Sequence, residues 1–289
     1  MSTIELIEKE QATAIGDFLV GRWLPFQQKT TVGPFVFVDP VGPTVLESGE
    51  TLDIAPHPHI GLSAMTYLFE GTILHQDSLG TEVELQPGAV GWMTAGKGMV
   101  HSERTPNYLR QMRKPLHGLQ VWVALPKQQE ELEPSFVHVE ASELPEWEQQ
   151  GVQIKLIAGE ALGQKSPVPV HSGLFFMELK STHRVSLTFG AELLGEKALY
   201  LRKGHIQHEG HTYMPNQFFV PQGSHLCSFE MEEQSVVYLF GGEPLVEERA
   251  MHRNFVHSDP KRIEEAKQAW EDHAFSPAFE EMDCLSNSQ

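Results

Sequence analysis

Short apolar runs recur along the chain, bounded by Gly, Pro, Asp and Asn: 35–38, 64–69, 119–125, 174–179, 185–189, 217–220 and 236–240. Several alternate apolar and polar positions, as in Val185, Leu187 and Phe189, and turn sequences such as Asp77-Ser-Leu-Gly80 and Pro87-Gly88 fall between them. A period of two interrupted by turn residues predicts half-buried strands, and many such strands predict an all-β fold, an antiparallel sandwich or barrel. Helical periodicity is confined to the stretch after Asp259-Pro260. There an N-cap residue is followed by Pro at the first helical position and by Ile263, Ala266 and Trp270 on one face. This predicts a short amphipathic C-terminal α-helix that docks Ile263 and Trp270 on a barrel surface.

At 289 residues the chain is long for one domain and sufficient for two, each with its own core. The segment 129–150 is rich in Glu, Gln and Pro and poor in strand pattern, which places a boundary near residue 140 and predicts domains 1–140 and 141–289. A faint repeat supports two similar halves. Tyr67-Leu-Phe-Glu-Gly-Thr-Ile73 matches Tyr200-Leu-Arg-Lys-Gly-His-Ile206, and Pro87 and Glu103 then fall at about the offsets of Pro215 and Glu230.

Composition narrows the function. Thirty-nine Asp and Glu against 21 Lys and Arg give a formal charge of -18, which repels phosphate backbones and anionic lipid. Direct nucleic-acid or membrane binding is therefore not expected, and a small molecule or a protein is the expected partner. Two cysteines, Cys227 and Cys284, are too few for a disulfide framework and fit a reducing compartment. The acidic N-terminal sequence lacks a basic-then-apolar leader, and no apolar run approaches the roughly 18 residues of a span, so a cytoplasmic location is expected.

Candidate chemistry concentrates in His57-Pro58-His59 and His101-Ser102-Glu103. Residues i and i+2 of a strand share a face, so each triplet offers two ligand atoms in one direction. With 15 histidines in the chain a lone His-x-His carries little weight. Here the intervening turns, together with Ala95-Gly-Lys-Gly98 just before His101, supply the hairpins that bring the two triplets together. Three imidazoles and a carboxylate suit one first-row divalent ion. Iron(II) is the leading choice, and manganese, nickel, copper and zinc are chemically compatible.

The span from Pro56 to Glu103 resembles the pirins, members of the cupin superfamily. The matching motifs are His57-Pro-His59, Leu68-Phe-Glu-Gly71, His75-Gln-Asp-Ser-Leu-Gly80, Pro87-Gly88, Trp92-Met-Thr-Ala-Gly96 and Val100-His-Ser-Glu103. Gly33-Pro-Phe-Val-Phe-Val-Asp39, Gly241-Gly-Glu-Pro-Leu245 and Asn254-Phe-Val256 extend the likeness over nearly the whole chain. The resemblance implies a bicupin, two cupin-type β-barrels. Its N-terminal barrel would hold one iron through His57, His59, His101 and Glu103, and its C-terminal barrel would lack metal. It also implies flavonol (quercetin-type) 2,3-dioxygenase activity on a flavonol or enediol-like substrate. The alternative is a non-catalytic, iron-dependent redox sensor that binds and regulates a protein partner.

Two positions depart from the pattern. Similar proteins continue the first motif as His-x-His-Arg-Gly-Phe-Glu, whereas Ile60 and Ser63 stand here. Glu103 is then the carboxylate near the site and the candidate base. Ser63 has the parity of His57 and His59 and, on an unbroken strand, would face the same cavity as a catalytic-site residue. His205, His208 and His211 recur every third residue, do not share a strand face and read as surface or hairpin-turn residues. The counterparts of the ligand positions, near Gly190, Glu192 and Ser228, carry no histidine. His75 and His117 read as hydrogen-bonded barrel or surface histidines.

Overall fold

The computed structural model describes residues 13–15, 18–21, 23–189, 192–221 and 228–275. Gly190, Cys227 and Cys284 lie outside them. Two compact units emerge. One comprises Val41–Ala141 with the described part of Val246–Gln289, and the other the described parts of Lys9–Pro40 and Ser142–Leu245. The chain therefore does not divide as 1–140 and 141–289. The junction at 141/142 lies where the sequence changes character, but the residues before Val41 pair with strands of the second half, and those after Leu245 return to the first.

The first unit is built on β1 (Phe35–Leu46, whose first half lies in the other unit), β2 (Asp53–His59), β3 (Leu62–Glu70), β4 (Ile73–Asp77) and β5 (Glu82–Leu85). It continues with β6 (Val90–Thr94), β7 (Met99–Arg104), β8 (Lys114–Ala124) and β9 (Ser135–Val139). One sheet runs β9-β6-β3-β8-β1 and the other β2-β7-β4-β5. The hairpin β10 (Ala250–His252) and β11 (Phe255–His257) and the helix α1 (Pro260–Glu271) complete it. Every apolar run predicted to be a strand lies within or overlaps one.

Helix α1 starts where its cap chemistry predicts: the Asp259 side chain accepts from the Lys261 N–H at 3.0 Å, and Pro260 fills the first turn. Its Ile263 and Ala266 are buried with Ile60 and Phe255, while Trp270 is only partly buried at the edge of that cluster. Ile263, rather than the tryptophan, is the anchor.

The second unit has a large sheet ordered 13–15, 18–21, 217–221, 196–203, 236–242, 174–180, 152–161 and 146–149, and a small sheet ordered 185–188, 228–231, 206–208 and 211–213. Its core gathers Leu156, Phe175, Leu199, Phe219, Phe229 and Leu239. The repeat seen in sequence is also topological. β6-β3-β8-β1 in one unit corresponds to 217–221, 196–203, 236–242 and 174–180 in the other, and the turn glycines Gly71 and Gly204 both have positive φ, 90° and 79°. Among the described residues no helix is long and apolar enough to cross a membrane.

Candidate metal centre

The two His-bearing strands are neighbours. β2 pairs antiparallel with β7 so that His57 lies opposite His101, and His59 opposite Met99. Ile54, however, lies opposite Glu103, so the register slips by one residue between Ile54 and His57. This is a β-bulge at Ala55-Pro56, a place where proline is tolerated because a ladder hydrogen bond is already missing. Without it His57 would face Val100 and His59 would face Gly98. A one-residue slip turns side chains to the other face, and the two imidazoles would point away from His101.

With the bulge, one ligand atom from each of His57, His59 and His101 lies within 4.8 Å of the others, the one such group of three or more metal-binding side chains among the described residues. His59 Nε2 and His101 Nε2 stand 3.1 Å apart. His57 Nδ1 lies 2.9 Å from the Ala55 carbonyl. A carbonyl only accepts, so Nδ1 carries the proton and the Nε2 lone pair is free, the usual way a backbone group fixes a ligand tautomer. Burial, and then the neighbouring imidazoles, hold His59 and His101 well below the ordinary histidine range. Burial also lowers His57, although the Ala55 hydrogen bond and the nearby Glu103 charge oppose it. Three imidazoles held neutral and packed this closely fit a cation. Two nitrogens each about 2.1 Å from a metal and at right angles would lie about 3.0 Å apart, close to the separation found. The donor set supports a divalent metal.

Glu103 shares the His101 face of β7 and is buried. Its carboxylate lies outside the 4.8 Å histidine group. Its Oε1 accepts from the Thr66 hydroxyl at 2.6 Å, and the Thr66 oxygen is also 3.0 Å from the Gln120 side chain. The Trp122 ring centroid is 5.1 Å from that of His59. Thr66 and Ala64 on β3, with Gln120 and Trp122 opposite them on β8, thus form one face that looks onto the site.

That geometry corrects the placement of Ser63. The strand does not continue from His59: Gly61 turns the chain with φ 67°, and β3 belongs to the other sheet. Gly61 is required there, since a Cβ would collide with the Val256 carbonyl. Within β3 the register to both neighbours is unbroken from Ser63 to Thr66, so Ser63 points to the face opposite Thr66, and its hydroxyl lies 3.2 Å from Thr94 Oγ1.

His75 is a hydrogen-bonded barrel histidine, as the sequence predicts, and it also stands beside the cluster. It lies opposite Glu103 on β4, is 2% exposed, donates from Nε2 to Asp77 Oδ2 at 3.1 Å, stacks on Phe136, and brings its ring centroid to 5.3 Å from that of His101. Burial alone would raise the Asp77 carboxyl, but hydrogen bonds from His75 and from the Leu79 and Thr81 amides outweigh it and hold it low. The clue in sequence was the i, i+2 pairing of His75 with Asp77 within a predicted hairpin. His208 and His211 do face each other across a hairpin, with His208 Nδ1 donating to the Ser228 carbonyl.

Two barrels of matching topology, one of them holding a three-histidine cluster, define a bicupin with a candidate metal centre in its first unit. The pirin family model matches residues 17–123, and the model of the pirin C-terminal cupin domain matches 174–276. A pirin-like protein of Caulobacter vibrioides is 44% identical over 270 residues, covering 92% of this chain and 93% of the relative. A Pseudomonas aeruginosa protein provisionally named a quercetin 2,3-dioxygenase is 33% identical over 259 residues, 89% of this chain and 80% of the relative. The crystal structure of a quercetin 2,3-dioxygenase from Acinetobacter baumannii superposes with a TM-score of 0.80 at 31% identity, covering 94% of this chain and 89% of that one. The chain belongs to the pirin family.

Proposed function

We propose that this protein is a mononuclear non-haem metal dioxygenase acting on flavonols of the quercetin type, with iron(II) held by His57, His59, His101 and Glu103. The convergence of three neutral imidazoles at one buried point carries the reading. The likeness to a solved quercetin 2,3-dioxygenase supports the substrate class. When bound, the metal supplies a Lewis acid and open coordination positions for the substrate oxygen and dioxygen.

The chain's own residues divide the remaining work. The His57 tautomer is set by Ala55, so its Nε2 is pre-aimed. Thr66 holds Glu103 Oε1, leaving Oε2 to complete the shell or to take the enolic proton of the substrate. Trp122, edge-on against His59, offers a flat ligand an aromatic wall, beside the polar side chains of Thr66 and Gln120 on the same β3–β8 face.

The test is oxygen uptake by iron-loaded protein over a panel of flavonols and enediols, with metal content measured in protein purified without added metal. Turnover with flavonols, lost together with the metal in His101→Ala, is expected. Full iron occupancy with no uptake across the panel would overturn the enzyme reading in favour of an iron-dependent sensor for a protein partner.

A further inference from the structure

A cavity of about 520 Å³ opens on the side of β2 away from the metal cluster. Its wall includes Pro58, Arg253, Phe255, Lys267, Trp270 and Glu271. Pro58 lies between His57 and His59 on the strand, so its ring projects from the opposite face. The cavity is thus bounded by the back of the ligand strand, by the β10–β11 hairpin and by α1.

Arg253 sits at the tip of that hairpin with φ 52°, a left-handed conformation uncommon for a residue with a side chain. Its Nε is buried without a hydrogen-bond partner, and among the described residues its guanidinium has no ion-pair partner. Lys267, by contrast, is tied to Glu264 at 2.8 Å. His252 next to them is held low, first by burial and then by the positive charges of Lys267 and Arg253, with Glu264 opposing. A chain of net charge -18 therefore keeps a cation without an ion-pair partner among the described residues in a recess whose wall carries Trp270, Phe255 and Pro58 beside Lys267 and Glu271.

We propose that this cavity is a binding site for a small aromatic carboxylate. The carboxylate would take the planar guanidinium fork of Arg253, which matches it in geometry, and the ring would lie against Trp270 and Phe255. The volume suits a ligand of this size.

Calorimetric titration with 1-naphthoate and with its neutral counterpart 1-naphthylmethanol tests this in wild type, Arg253→Gln, Trp270→Leu and His101→Ala. Saturable naphthoate binding is expected, weakened at least about tenfold in Arg253→Gln and also in Trp270→Leu, and retained in His101→Ala, which separates the site from the metal centre. The alcohol should bind more weakly and be indifferent to Arg253→Gln. Naphthoate binding that is absent in wild type, equal to that of the alcohol, unchanged in Arg253→Gln or abolished in His101→Ala overturns the proposal. Thermal midpoints identify a misfolded Arg253→Gln variant, in which case Trp270→Leu, which keeps the charge, decides.

Discussion

Replacing Thr66 by valine removes one hydroxyl at nearly constant volume and tests whether Glu103 belongs to the metal shell. The Thr66 Oγ1 to Glu103 Oε1 contact is 2.6 Å, and both residues are buried, at 7% and 4% exposure. A short hydrogen bond to an ionised acceptor contributes about 1.5–3 kcal/mol. If Glu103 ligates, that contribution orients a ligand, and its loss corresponds to roughly 10- to 150-fold in metal affinity at about 1.4 kcal/mol per decade. This range agrees with the roughly 10–100-fold typical of groups that orient metal ligands. The assay is anaerobic chelator competition for iron(II) with wild type, Thr66→Val and Thr66→Ser. Valine should weaken binding by one to two decades, and serine, which keeps the donor, should recover most of it. Affinity in Thr66→Val within threefold of wild type, or serine as weak as valine, would refute the role assigned to the Thr66–Glu103 pair.

Two further outcomes concern stability. Ile263→Ala empties a buried position against Ile60 and Phe255 and should cost about 2–5 kcal/mol in urea unfolding, with Trp270→Ala, at the edge of the same cluster, costing less; the reverse order would displace Ile263 as the helix anchor. Burial raises the Asp39 carboxyl to about 6 from 3.8, so the folded state binds that proton more tightly than the unfolded chain. The resulting penalty is present above pH 6 and fades as pH falls towards 3.8. Asp39→Asn should therefore stabilise the protein at pH 7.5 by about 1–2 kcal/mol, after allowing for partial exposure of the side chain. The gain should vanish near pH 4, and a gain independent of pH would assign it to another cause.

The sequence by itself determined the elements and the candidate ligands. Alternating patterns located the strands, Asp259-Pro260 located the helix start, and the two triplets named the three histidines that come together, because periodicity, cap chemistry and donor type are local properties. Matching residues at Gly71 and Gly204 even exposed the duplicated topology. What depended on the rest of the fold was direction. The bulge at Ala55-Pro56 turns His57 and His59 towards His101, the turn at Gly61 transfers Ser63 to another sheet and away from the site, and pairing across β4 and β7 brings His75 beside the cluster. Unit membership of the two ends was likewise a matter of pairing, the N-terminal strands adding to a sheet of the second half and the C-terminal hairpin and helix packing on Ile60. In β structure a single residue of slip reverses a face, and the slip is set by contacts distant in sequence, so which residues point at the metal is decided only when the strands meet.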